Sequence, residues 1–337
     1  MRCHLILLIS LALLTACHAE TDRGAPANAT ATINAAVVSE ASQAAEDEWI
    51  DDTAKLETVT FKAGAARHGS YSFVSTIKDT TFIPLDALPT VDRLPINLLF
   101  EGEPDPPTTA GGKVARSLGW AVLGEARIGP LTAVGIARGY KYAVGRFDFH
   151  VDGNVAIFEG AKVLAVLHRQ ASNHVGIGDL QSLEGGRVRV YTSLPIAPRG
   201  DLVLTGHRLR YGPLASVDTY CGGRAHVPNI YGQPIMRARA MLKAAGWRPR
   251  HVTFGGFENI GAQFARVGIH EVSRCVMDQV GQCDFSYASP VARLDLETGD
   301  GMFDDPERVT DDSDLAKKVF WYGVVCRAPS RGVRRAR

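Results

Sequence analysis

The sequence has no charge excess of either sign. Lys and Arg number 37 against 36 Asp and Glu, so the formal net charge of +1 gives no general electrostatic grip on nucleic acid, which is not an expected partner. Long apolar runs are also missing. Residues 5–14 come nearest, and they fall short of the roughly 20 residues a spanning helix requires. With a mean hydropathy of -0.03, a polytopic membrane protein is excluded. There is no Gly-x-Ser-x-Gly elbow, no His-Glu-x-x-His and no phosphate-binding loop, which removes three frequent signatures of catalysis and nucleotide binding. No repeat recurs at a solenoid or propeller period. Without a Cys-x-x-Cys pair the cysteines do not read as a zinc site, and no metal or other cofactor is expected.

What the chain does contain is length and turns. Its 337 residues, 45% of them hydrophobic, suffice for two domains with a core each. Its 34 Gly and 17 Pro imply many reversals, and so more strand than helix.

Met1-Arg2-Cys3-His4 is short and basic, and residues 5–14 are apolar apart from Ser10, as in the central region of a secretory signal. Leu14-Thr15-Ala16-Cys17, closing this run, resembles the bacterial lipoprotein signal box. The resemblance implies a diacylglycerol thioether on Cys17, cleavage before it and acylation of the new amine. Residues 1–16 are then a signal peptide, and the membrane is a partner through the lipid. Several acyl chains anchor more firmly than one, since each buried CH₂ contributes about 0.8 kcal/mol. His18, rather than Asp, follows the acceptor, which by the sorting rule of enteric bacteria implies the periplasmic face of the outer membrane. Residues 17–54 are rich in Ala, Thr, Asn, Ser, Glu and Asp; they bury too little apolar surface to offset ordering and read as a tether.

Residues 55–215 are expected to form a β-rich domain, a meander or barrel-like sheet. Alternation is clear at residues 56–61, 71–74, 146–151, 155–158, 163–167, 186–191 and 201–205, with turns at Asp152-Gly153 and Glu159-Gly160. Residues 116–144 are apolar and broken by Gly, so their period does not separate helix from strand.

Residues 216–326 change style. Pro234 opens a helix through Ala245 that Gly246 ends, with Met236, Ala240, Met241 and Ala244 as its apolar stripe and Trp247 folded onto the core. Strands are expected at residues 251–254, 268–276, 284–287, 291–296 and 318–325. The sum is α+β: a β-rich domain followed by one helix on an antiparallel sheet. Residues 327–337, with Arg327, Arg331, Arg334, Arg335 and Arg337, form a basic tail that suits a solvated terminus or contact with anionic headgroups or peptidoglycan.

Beyond Cys3 and Cys17, four cysteines remain: Cys221, Cys275, Cys283 and Cys326. An even number in one module of an exported chain reads as a disulfide framework with three possible pairings. Cys275 and Cys283 flank a polar turn and can close a hairpin, while Cys221 and Cys326 bracket the module. Loop entropy would give these bridges about 2.6 and about 4.8 kcal/mol. Gly246-Trp247-Arg248-Pro249, Glu271-Val272-Ser273-Arg274-Cys275 and Cys283-Asp284-Phe285-Ser286-Tyr287 resemble a domain of uncharacterised exported proteobacterial proteins. The resemblance implies a fold and carries no activity.

Chemistry is harder to find. Asp148, His150 and Asp152 have period two, so a strand puts them on one face, with His168 and His174 further along. Two carboxylates and imidazoles can bind a metal or perform acid–base work, with Asp148, His150 and His168 the catalytic candidates. The alternative is an outward polar face opposite Phe147, Phe149 and Val151. Residues 295–301 hold Asp295, Glu297 and Asp300 but miss the calcium-loop register, and read as a solvated hairpin loop. The reading reached is a lipid-anchored envelope module that binds or inhibits a periplasmic protein or binds a cell-wall component such as peptidoglycan, and an exposed apolar patch is its expected mark. A metal- or His-dependent hydrolase and a structural assembly factor are the alternatives.

Overall fold

A computed structural model describes residues 59–64, 70–93, 105–143, 147–169, 176–192, 197–253, 264–275, 282–299 and 317–327, with backbone alone for 140–143 and 147–149. Cys17, the tether, His174 and most of the basic tail lie outside the described residues. The chain divides into two units, Met1–Leu56 and Glu57–Arg337, and the described residues all belong to the second.

The elements begin with β1 (Ser72–Ser75), β2 (Thr80–Pro84), α1 (Ala110–Ser117), β3 (Ala121–Ile128), β4 (Leu131–Ala137), β5 (Gly139–Ala143) and β6 (Phe147–Val151). There follow β7 (Asn154–Glu159), β8 (Lys162–Arg169), β9 (Ile177–Leu183), β10 (Arg187–Thr192), β11 (Ala197–Thr205) and β12 (Arg208–Gly212). The last third holds β13 (Val217–Tyr220), β14 (Ala225–Pro228), α2 (Ile235–Ala244), β15 (Arg248–Pro249), β16 (Val272–Cys275), β17 (Cys283–Ala288), β18 (Ala292–Gly299) and β19 (Lys318–Cys326). The fold is α+β and mostly strand, as Gly and Pro content implied.

Two five-stranded sheets, in the orders β1-β12-β11-β10-β9 and β2-β8-β7-β4-β3, pack face to face. Val188, Val190, Leu202, Leu209 and Tyr211 of the first meet Ile128, Leu131, Val155, Ile157 and Leu167 of the second in one core. The β1–β2 turn joins the sheets on one side. On the other, β4 and β9 pass so closely that a Cβ on Gly135 would stand 1.9 Å from the Gly178 carbonyl oxygen. The opposite face of the second sheet, with Trp120, Ile136, Phe158 and Val166, is covered by α1 and by Phe61, Leu85 and Leu88. Residues 116–144 are thus the end of α1, then β3, β4 and β5.

The third sheet, β15-β17-β18-β19 with β16 also on β17, packs against α2 around Trp247, Phe264, Phe285, Leu294 and Tyr322. Cys221 is bonded to Cys326, and Cys275 to Cys283 directly across the β16–β17 pair. Gly246 ends the helix region at φ +87°, in the left-handed conformation that glycine adopts without a Cβ clash.

Several expectations need correction. Asp152-Gly153 is not a hairpin turn: β6 pairs with β5, whereas β7 pairs with β4 and β8. Asp152, at φ +52°, is a kink where one strand of a long ribbon leaves one sheet for another. Residues 59–61 and 251–253 are not part of any strand. Asp295 and Glu297 lie within β18, not in a loop. The helix buries Ile235, Ala238 and Leu242, while Met236 faces out, because the sheet approaches from the side of Ile235.

Candidate functional site

In β10, Val188 and Val190 turn into the sandwich, so Arg187, Arg189 and Tyr191 turn the other way. In an ordinary half-buried strand that face meets water. Here it meets the C-terminal module, and Arg189 is only 1% exposed. Its Nε donates to Asp201 Oδ1 at 2.9 Å, and one terminal nitrogen donates to Asp218 Oδ2 at 2.7 Å. The other reaches Asp201 Oδ2 at 3.1 Å and Asp218 Oδ1 at 3.0 Å. Arg187 bridges the same carboxylates at 3.0 and 2.9 Å. Tyr322 of β19 donates its hydroxyl to Asp218, and the Tyr231 ring lies 5.1 Å from the Arg189 guanidinium carbon.

Two cations face two anions, so the layer is neutral and its hydrogen bonds offset part of the desolvation. Burial raises the Asp218 pKa, but the hydrogen bonds and charge of Arg189 outweigh it and leave that carboxyl below its ordinary value. Burial pushes the Tyr322 hydroxyl well up, which keeps it a donor. The arrangement joins the sandwich to the third sheet. It holds no group turned toward a ligand.

The candidates on β6 and β8 are brought near different partners. His150 is buried, with Nε2 3.7 Å from Asp179 Oδ1 on β9. Burial pushes the Asp179 carboxyl up to about 7, although a third of its side chain remains exposed. His168 Nδ1 is 2.8 Å from Asn154 Oδ1, and Asn154 Nδ2 donates to the Asp152 carbonyl at 2.6 Å. The Asp152 carboxylate pairs with Arg138 at 3.4 Å, across the kink in the ribbon. Burial lowers the His168 pKa against the pull of Asp152. Asp148 lies on β6, its side chain outside the described residues. Among the described residues no three His, Cys, Asp or Glu side chains are grouped so as to hold a metal.

The spacing Ser75-Thr76-Ile77-Lys78 matches Ser-x-x-Lys, which the sequence reading misses. That motif unites Ser and Lys only on a helix, where residues three apart are neighbours. Here it turns the corner between β1 and β2, with Ser75 Oγ 2.8 Å from Thr80 Oγ1.

Among the described residues, an open groove of about 800 Å³ lies where α1, β3 and the ends of β4 and β9 converge. Thr108, Thr109, Glu125, Arg127, Thr132 and Ser182 line it, with Gly129, Pro130 and Leu131 alongside. Glu125 is engaged: it accepts from Thr108 N at 2.7 Å, Thr109 N at 3.1 Å and both threonine hydroxyls. Burial works against its charge, yet these bonds hold its pKa below the ordinary carboxylate value. It thereby fixes the start of α1, whose N-cap Thr109 accepts from Gly112 N. Arg127 is exposed and makes no ion pair among the described residues. Sequence offered no route to this groove, because its residues come from four separate elements.

The large apolar side chains strongly exposed among the described residues are Val217, Met236, Val267 and Val325. No family model, curated protein or solved structure matches this chain.

Proposed function

We propose that this protein is a lipid-anchored module of the cell envelope that binds a cell-wall component through the groove beside Glu125 and Arg127. The groove carries the reading. Threonine and serine hydroxyls can exchange hydrogen bonds with sugar hydroxyls and peptide amides, and Arg127 is placed to pair with a carboxylate of a peptide stem. Gly129, Pro130 and Leu131 give apolar surface for the C–H face of a sugar ring. The two disulfides agree with an oxidising compartment, and the resemblance of Leu14–Cys17 to a lipoprotein signal box supports an anchor at the periplasmic face of the outer membrane. The buried His150–Asp179 pair lies away from the groove's lining, which makes the hydrolase the poorer reading.

The test uses the mature chain with Cys17→Ser, which removes the lipid, sedimented with purified peptidoglycan sacculi. Arg127→Ala should weaken co-sedimentation by about tenfold, the value of one charged hydrogen bond, with an unchanged unfolding midpoint. Equal sedimentation of parent and variant, or none by either, would refute the groove as the binding site.

A further inference from the structure

Charge is nearly balanced over the chain and unbalanced within it. Residues 219–257 contain Arg224, Arg237, Arg239, Lys243, Arg248 and Arg250, and no Asp or Glu. On α2 the buried side is Ile235, Ala238 and Leu242, so Met236, Arg237, Ala240 and Lys243 share the outward face at helical spacing. Arg239 donates to the Gly268 carbonyl at 2.8 Å, which sets the turn carrying Arg266 and Val267 beside the helix. Met236 and Val267 are each 44% exposed, although both are apolar. Glu271, the acid held against α2, is buried and bonded to Arg239 and Tyr287.

From this geometry we infer that the outward face of α2, with the neighbouring turn at Arg266 and Val267, is a second membrane-contact surface that lays the protein on an anionic phospholipid bilayer. Cations on long side chains are drawn to phosphate headgroups, and isolated apolar side chains among them enter the acyl boundary. Arg237, Lys243 and Arg266 supply the first element, Met236 and Val267 the second. A fluid headgroup layer suits charges on separately rotating side chains better than a protein surface with acceptors at fixed points. The inference draws on the proposed anchor for one circumstance. A tether of about 40 residues spans roughly 35 Å, which keeps the module within reach of the bilayer and makes even weak surface affinity effective.

The experiment employs the unlipidated Cys17→Ser chain, so surface binding is separated from anchoring. Flotation with vesicles of phosphatidylethanolamine and phosphatidylglycerol is compared with flotation on phosphatidylcholine alone. Binding should require the anionic lipid and weaken with added salt. Arg237→Gln, Lys243→Gln and Arg266→Gln should each reduce it by about fivefold. Met236→Ser with Val267→Ser should reduce it while keeping its salt dependence. These side chains are exposed, so an unchanged unfolding midpoint verifies the fold. Sacculus co-sedimentation should stay intact in the same variants, which distinguishes failure of this surface from failure of the groove.

Equal binding to neutral and anionic vesicles would overturn the inference, as would variants that bind like the parent. So would absence of vesicle binding, the result expected if the acidic run at residues 300–314, which lies outside the described residues and joins β19 at Lys317, claims the cationic face instead.

Discussion

Asp179 illustrates how one side chain links environment to stability. Burial pushes its carboxyl up to about 7, from an ordinary value near 3.8. The folded state therefore holds a proton that the unfolded chain has released. This contribution is fully present below about pH 4 and is lost as pH rises through about 7. The expected outcome is an unfolding free energy that declines over that window, by an amount limited by the third of the side chain left in water. Asp179→Asn should abolish the decline, and urea titrations at a series of pH values would reveal it. An identical pH profile for parent and variant would show that the carboxyl is ionised throughout. Asp218 acts with the opposite sign: its lowered pKa makes its contribution fade as pH falls below about 3.8. Neither shift was legible in the sequence. Asp179 and His150 stand on strands paired in different sheets, and burial at each comes from chain remote from it.

At the scale of elements, alternation and punctuation were informative wherever a strand had a single neighbourhood. The β7–β8 hairpin, β10, β11, the helix between Pro234 and Gly246 and the β17–β18 pair all lie where hydrophobic period and turn residues put them. The reading failed at Asp152-Gly153, because a kinked strand and a hairpin use the same turn residues. It also failed along α2, where Met236 looks as apolar as Ile235 but only the latter faces the sheet. The close approach of β4 to β9, which belong to different sheets, depends on Gly135 and Gly178 meeting. A methyl at Gly135 would collide with backbone rather than with a movable side chain. Gly135→Ala should accordingly cost about 3 kcal/mol, at the upper end of ordinary overpacking penalties. Chemical denaturation checks this, and a midpoint equal to the parent's would mean that the sheets separate more readily than the geometry implies.

For the whole molecule, the decisive arrangement is the layer of Arg187, Arg189, Asp201 and Asp218 between the sandwich and the third sheet. An apolar layer would hold at many angles. Bidentate pairs require one, so this layer fixes orientation more than it adds stability. Arg189→Met leaves two carboxylates in a dry site with Arg187 as the one cation of the layer, and should destabilise the protein by about 3–5 kcal/mol. Adding Asp201→Asn and Asp218→Asn should recover part of the loss. A single Arg189→Met variant as stable as its parent would mean that water enters the layer freely.

The sequence by itself determined what depends on neighbours along the chain: strand and turn positions, the helix limits and a cysteine set able to pair locally and end to end. Tertiary structure alone decided which polar faces are dry, which sides of β10 and α2 meet protein, and that Thr108, Arg127 and Ser182 share a groove. The physical reason is that period two or period 3.6 marks the two sides of an element, whereas the medium on each side is set by segments distant in sequence.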